Sequence, residues 1–175
     1  MSTTLENSKQ KFIEAWADMA ASWGISKTMA QVHALLYSSD TPLDTDTIME
    51  KLDISRGNAN MTLRNLLAWG LIKKVDKPDT RKDLFEAEKD VWKITANIIY
   101  ERSQREIKPI REAIVEILNN MGRPEAFSEE EMKFYENINK LIEFLNLVND
   151  FSNKILPLLH KKNFDKIEAF IKLLK

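Results

Sequence analysis

Between Ser55 and Asn65 the chain runs Ser-Arg-Gly-Asn-Ala-Asn-Met-Thr-Leu-Arg-Asn, a set of side chains fit for reading the polar edges of another molecule. With Ala59, Leu63, Leu66 and Leu67 as the apolar stripe of a helix, a turn of about 100° per residue sends Gly57, Asn58, Met61, Arg64, Asn65 and Ala68 to the opposite face. Each of the polar ones has chemistry in a DNA groove. Arg64 can pair with guanine or a phosphate, Asn58 and Asn65 can read adenine edges or bind phosphate, and Met61 can touch a thymine methyl. Gly57 permits close backbone approach, and free amides at Ser55 to Asn58 can hold a phosphate with help from Arg56. The window from Ser55 to Lys82 carries Arg56, Arg64, Lys73, Lys74, Lys77, Arg81 and Lys82 against Asp76 and Asp79, after an acidic run from Asp40 to Asp53 in which Lys51 is the one cation. A basic surface confined to one segment of a chain with net charge -1 suits a sequence-specific binder of a polyanion rather than a protein that coats nucleic acid.

Other chemistry is largely excluded. There is no cysteine, and His33 and His160 are the only histidines, so thiol nucleophiles, disulfides, thiolate zinc sites, iron-sulfur clusters and histidine-rich metal cages are ruled out. No Ser-His-Asp grouping, glycine-rich phosphate loop or catalytically spaced carboxylate pair stands out, so the sequence reads as neither an enzyme nor a carrier of a metal or cofactor. His33 falls on an apolar helical stripe and reads as a core or interface histidine; His160, beside Lys161 and Lys162, reads as surface. Trp16, Trp23, Trp69 and Trp92 all precede the C-terminal third. Aromatic walls can bind quaternary ammonium cations, while tryptophan at helical spacing is ordinarily core, and both readings are open for these four.

The elements that must position these residues follow from 175 residues, 43% of them hydrophobic and 30% charged, with four glycines and five prolines: a folded, helix-rich chain with short loops. A polar start and the lack of any apolar run near 18 residues point to a cytoplasmic protein with no membrane partner. Leu5 to Trp23 reads as an amphipathic helix with Phe12, Trp16, Met19, Ala20 and Trp23 along one side, ended by Gly24. Ser26 can cap a second helix to about Ser38, burying Met29, Val32, His33 and Leu36. After turn chemistry through Pro42, Asp44 or Asp46 caps a short helix burying Ile48, Met49 and Leu52, and Ser55 caps the next, which Gly70 stops. Leu71–Val75 and Leu84–Ala87 are short β-compatible runs, a hairpin.

From about Asp90 to Met121 only Pro109 interrupts a helical pattern, so one long helix or two pieces kinked at Pro109 is expected, with Val91, Ile94 and Ile98 buried in its first half. Glu101 to Glu106 is charged, and Ile107, Ile110, Ile114, Ile117 and Met121 then recur at heptad-like spacing. Ser128 with Glu131 forms a capping box for a helix carrying Phe134, Ile138, Leu141, Ile142, Leu145 and Val148. Ile155 to His160 is broken by Pro157, and Asn163 opens a last helix with Ile167, Phe170, Ile171 and Leu174.

Three helices followed by a basic hairpin form the element order of a winged helix-turn-helix: a mainly α fold in which helix 55–69 enters the major groove and a two-stranded wing lies beside it. Residues 1–105 are expected to form this DNA-binding domain, and 106–175 a helical dimerisation region joined by the long helix, with sensing a further role there. The five apolar residues Ile107 to Met121 need a partner, and packing between subunits is preferred over an intramolecular bundle. The predicted contacts to double-stranded DNA are Ser55, Arg56, Gly57, Asn58, Asn60, Met61, Arg64, Asn65, Lys77, Arg81 and Lys82. The rival reading is a winged-helix module that docks a protein in a transcription or chromosome-organising complex; apolar anchors in place of Arg, Asn and Gly would mark it.

The run Ile54 to Arg64, followed by Trp69-Gly70-Leu71-Ile72, the wing Lys77 to Lys82 and Phe85 to Trp92, resembles the GbsR branch of the MarR-type transcriptional regulators. The resemblance takes in Trp16, the Pro42-Leu43 turn and the Glu106-Ile107-x-Pro109 element, and fades beyond Gly122. It implies a homodimeric repressor or activator whose DNA contacts carry onto Ser55, Arg56, Asn58, Asn60, Arg64 and Arg81. It also implies a small-molecule effector of the quaternary ammonium class. The wing departs from the pattern, with Asp79-Thr80 where a glycine usually precedes the arginine.

Overall fold

The computed structural model describes residues 2–76 and 81–160. Its contacts divide the chain into two compact units, with the break between Ile94 and Thr95.

In the first unit, α1 (Ser2–Ser22) lies along α2 (Lys27–Ser38), and the small side chains Ala17, Ala20 and Ala30 let the two backbones approach, with Trp16 and Ile25 closing over them. The buried side of α1 is Ile13, Ala17 and Ala20, rotated from the predicted stripe: Phe12 and Trp16 are half-buried, and Met19 and Trp23 are exposed. Helix packing here selects small residues over large ones, which a stripe drawn through the bulky side chains does not anticipate. On α2 the predicted stripe of Met29, Val32, His33 and Leu36 is buried throughout. Ser26 caps it, its Oγ accepting from Met29 N–H at 3.4 Å.

A strand of two residues, β1 (Leu43–Asp44), leads directly into α3 (Thr45–Leu52). Asp53 takes a left-handed conformation (φ 50°) that carries the chain from α3 into α4 (Arg56–Ala68), a conformation that Asp tolerates better than most residues. Gly70, at φ 63°, ends α4 and turns it into β2 (Ile72–Val75), which pairs antiparallel with β3 (Leu84–Ala87). The predicted hairpin is thus present, but the sheet has three strands, in the order β1-β3-β2, with Leu43 opposite Phe85 and Asp44 opposite Leu84. Two residues are too few to show a period of two, so β1 leaves no pattern in the sequence. Ile48, Ala59, Leu63, Leu66, Phe85 and Ala87 fill the core between these elements, and Thr62 is buried with them while Leu67 is only half-buried. This is a winged helix-turn-helix.

α5 (Val91–Arg102) spans the break between units. Ile94 and Ala96 are buried on it and Ile98 half-buried, whereas Val91, expected inside, is exposed. The helix does not run straight into α6 (Lys108–Asn120): Ser103–Ile107 form a π-helical turn, closed by Lys108 N–H donating to Ser103 C=O. Pro109 explains it. Its ring would clash with the Arg105 carbonyl in a regular α-helix and its nitrogen donates nothing, and one wider turn relieves both. Two i,i+4 ion pairs, Arg102–Glu106 at 3.0 Å and Arg105–Glu101 at 3.1 Å, line this turn.

In the second unit, the capping box of Ser128 and Glu131 opens α7 (Glu129–His160), with Ser128 N–H donating to Glu131 Oε2 at 2.7 Å. α7 packs against α6, where Arg111 Nε donates to Asn146 Oδ1 at 2.5 Å. Contrary to expectation, α7 passes through Pro157 without ending. Leu145, Ser152 and Leu156 keep one side of α7 buried up to that point, and the carbonyl that Pro157 leaves without a donor belongs to exposed Asn153, where water can bond it. Phe134 and Leu141, predicted on the apolar side, are exposed in the single chain. The predicted helix from Asn163 lies outside the described residues. No helix among the described residues is long and apolar enough to cross a membrane.

Candidate nucleic-acid interface

α4 begins with Ser55 in an extended conformation, its Oγ accepting the Asn58 N–H at 3.3 Å. The cap therefore takes one of the amides that sequence reasoning offered to a phosphate and leaves those of Arg56 and Gly57 at the helix start. Arg56, Gly57, Asn60, Met61, Arg64, Asn65 and Ala68 are exposed, Met61 by 54%. Asn58 departs from the expectation: it is half-buried, and its Oδ1 accepts from the Thr62 hydroxyl at 3.3 Å. A Cβ added at Gly57 would meet nothing within 4 Å, so the protein's own packing does not require glycine there. Arg64 Nε donates to the Asn60 carbonyl at 3.3 Å, which steadies the stem of this exposed side chain. Thr45, Asn60, Arg64, Lys74, Asp83 and Phe85 line an open groove between this face and the sheet.

The electrostatics differ from the simple count of basic residues. The acidic run folds against the basic window. Asp46 Oδ1 accepts from Arg56 Nη2 at 2.5 Å and its Oδ2 from Lys82 Nζ at 2.9 Å, and Lys82 also donates to Asp44 Oδ2 at 2.9 Å. Lys73 pairs with Glu86 at 2.8 Å and Lys74 with Asp83 at 2.6 Å. Arg64 and Arg81 are exposed and have no carboxylate partner among the described residues. Lys77 lies outside those residues. Sequence reasoning took Asp44 and Asp46 as caps only. Asp44 is the cap of α3, accepting Thr47 N–H at 2.8 Å, but the bond from Lys82, together with that cap, also holds its carboxyl well below the usual carboxylate range. Lys82 and then Arg56 lower that of Asp46 as well, so both stay charged.

Behind the interface, His33 sits in a row of rings, 6.1 Å from Trp16 and 6.0 Å from Tyr37, with Phe12 beyond Trp16 at 5.8 Å. It is 4% exposed, and its Nε2 has no hydrogen-bond partner among the described residues. Burial, aided by the charge of Lys89, pushes its pKa down to about 4, so the imidazole is neutral. Lys89 itself went unremarked in the sequence. Its ammonium donates to the carbonyls of Leu36, Tyr37 and Ser39 and lies 5.0 Å from the Tyr37 ring centroid, closing the C-terminal end of α2. Trp23 is exposed at the end of α1, Trp69 is half-buried at the end of α4, and Trp92 is exposed in the first turn of α5. In the second unit Ile110 and Ile117 are exposed, by 53% and 51%, while Ile107, Ile114 and Met121 are half-buried.

No family model matches the chain. It is 24% identical over 160 residues to the putative HTH-type transcriptional regulator YvaV of Bacillus subtilis, which spans 87% of this chain and 88% of that protein. It is 21% identical over 164 residues to the HTH-type transcriptional repressor OpcR of the same organism, covering 80% and 85%. With the HTH-type transcriptional repressor GbsR, also of B. subtilis, it shares 24% over 104 residues, 59% of this chain and 57% of that one. None of the three is named as an enzyme. Among solved structures, one described as a transcriptional regulator superposes with a TM-score of 0.66 at 13% identity over 88% of this chain and 99% of its own, a likeness of fold. The MarR repressor from Listeria monocytogenes aligns at a TM-score of 0.37 and 22% identity, over 82% of this chain and 92% of its own.

Proposed function

We propose that this chain is a DNA-binding transcriptional repressor of the GbsR-like kind, working in the cytoplasm as a homodimer on a near-palindromic operator. The observation that carries this reading is the face of α4: Arg56, Asn60, Met61, Arg64 and Asn65 exposed together on a helix held beside a wing, in a chain whose relatives are named as HTH-type regulators. α4 enters the major groove. Arg64 and Asn65 reach base edges, the amides at the helix start and Arg56 hold a phosphate, and Arg81 on the wing follows the backbone into the next groove. Residues 1–105 supply this contact and 106–175 the dimer seam through Ile107, Ile110, Ile114, Ile117 and Met121. A protein-docking role for α4 would call for a cluster of apolar anchors, and Met61 is the one large apolar side chain exposed on it.

Two-fold symmetry places two recognition helices about one helical turn of DNA, or a multiple of it, apart. Selection from a random duplex library should therefore return an inverted repeat. A direct repeat, or no enrichment, contradicts the proposal.

A further inference from the structure

α3, α4 and the wing meet at one carboxylate. Asp46 sits in the first turn of α3, and its two oxygens are divided between the first residue of α4 and the base of the wing: Oδ1 to Arg56 Nη2 at 2.5 Å, Oδ2 to Lys82 Nζ at 2.9 Å. Asp44 anchors the same ammonium through Oδ2 while its Oδ1 is committed to capping α3. The four groups sum to zero formal charge. Both cations are among the residues expected to meet phosphate, and an arginine or lysine held on a carboxylate neutralises no phosphate until that carboxylate lets go. Arg56, Lys82 and Asp46 are solvent-exposed, whereas the Asp44 side chain is 16% exposed, and ion pairs in water such as the two on Asp46 are weak enough for a polyanion to displace.

We propose that Asp46 is a built-in counterion that competes with DNA phosphate for Arg56 and Lys82, so that it, rather than the number of basic residues, sets the strength and salt dependence of binding. This rests on the DNA-binding reading above. The acidic run before α4 is thereby a restraint on non-specific binding: without it the same face would adhere to any duplex, and the difference between cognate and random DNA would shrink. Lys82 keeps Asp44 when Asp46 is neutralised, whereas Arg56 loses its one carboxylate partner among the described residues, so one further phosphate contact is the expected gain.

The test compares the full-length protein with Asp46→Asn and Glu50→Gln, using a labelled mixed-sequence duplex of about 30 base pairs, with fluorescence anisotropy read from about 50 to 300 mM salt. Glu50 is exposed on the same helix and has no ion pair among the described residues, so its variant carries the same change in net charge without opening the clamp. D46N should bind about tenfold more tightly at the lowest salt, with a slope of log K against log salt steeper by about one, and the gain should fade as salt rises. E50Q should move both far less. Equal behaviour of the two variants would reduce the effect to net charge and overturn the proposal. Weaker binding by D46N would mean that the carboxylate positions the cations for DNA, and would overturn it too. Binding by D46N alone supports it, whereas failure of all three proteins to bind at the lowest salt rejects the DNA-binding reading itself.

Discussion

A single buried ring gives the sharpest residue-scale consequence. His33 is neutral in the fold because burial, with Lys89 nearby, holds its pKa near 4 against an ordinary value of 6.5. Between those values the unfolded chain binds a proton that the folded chain does not, so stability rises with pH across the window and is lost as pH falls from about 6.5 toward 4. The loss from this group is at most about 3 kcal/mol, and His33→Phe, which keeps a ring in the row with Trp16 and Tyr37, should flatten that dependence. Urea unfolding at the two ends of the window measures it; an unchanged slope in the variant would assign the acid sensitivity elsewhere. Gly57 makes a complementary case. Because a Cβ there meets nothing of the protein itself, Gly57→Ala should stabilise the fold by about 0.5 kcal/mol through helix propensity and still weaken DNA binding, since the added methyl intrudes where the duplex approaches. Chemical denaturation and anisotropy on the same sample separate the two effects. A variant that binds as the natural protein does would show that no backbone comes close at this point.

At the scale of elements, caps carry more than their position in the chain suggests. Ser26, Ser55 and Ser128 occupy the cap positions their sequence context predicts, and of the two candidates for α3 it is Asp44 that caps, because an N-cap is a local event read within three residues. The C-terminal end of α2 is different: its carbonyls are met by Lys89, far along the chain, and nothing near Ser38 announces that partner. Lys89→Met should cost about 1 to 2 kcal/mol, since it strips a charged donor from three carbonyls, the bond to that of Leu36 being partly buried, and should raise the His33 pKa by removing a nearby charge. Thermal melting together with an NMR titration of the imidazole checks both, and an unaltered His33 titration would mean that burial alone governs it. The same division between local and distant signals explains what could be read of the interface. Exposure of Gly57, Met61, Arg64, Asn65 and Ala68 followed from helical periodicity, whereas Asn58, placed outward by the same period, is half-buried against Thr62 and Asn60 was reached through the family resemblance. The pairing of Arg56, Lys73, Lys74 and Lys82 with carboxylates did not, since Lys73–Glu86 and Lys74–Asp83 depend on the register of the hairpin, Arg56–Asp46 on how α4 meets α3, and the Lys82 pairs on how the wing meets α3. The π-turn was half legible: Pro109 marked an interruption, but whether it kinks the helix or widens the preceding turn depends on which relieves the Arg105 carbonyl at lower cost.

For the whole molecule, the apolar surface of the second unit calls for cover. Ile110 and Ile117 on α6, and Phe134, Leu141, Phe144 and Leu147 on α7, are each more than two-fifths exposed in the single chain, more than a stable monomer leaves bare on two packed helices. A second copy is the simplest cover, because a two-fold axis lets the same patch serve both sides, and two helices from each chain make a four-helix seam. It also accounts for Phe134 and Leu141, which have the spacing of core residues yet are exposed in the single chain, as interface positions are. Ile110→Asp with Ile117→Asp should therefore separate the subunits without unfolding them, since neither side chain is buried within its own chain, while each would place a charge in the seam at a cost of several kcal/mol, roughly 3 or more per subunit. Sedimentation equilibrium should give a dimer for the natural chain and a monomer of undiminished helicity for the variant. Because each monomer then engages half a site, its affinity for an inverted repeat should fall to that for a single half-site, while contacts within the half-site persist. A natural chain that sediments as a monomer at micromolar concentration would remove the basis for a palindromic operator, and the exposed face of α6 and α7 would need another partner.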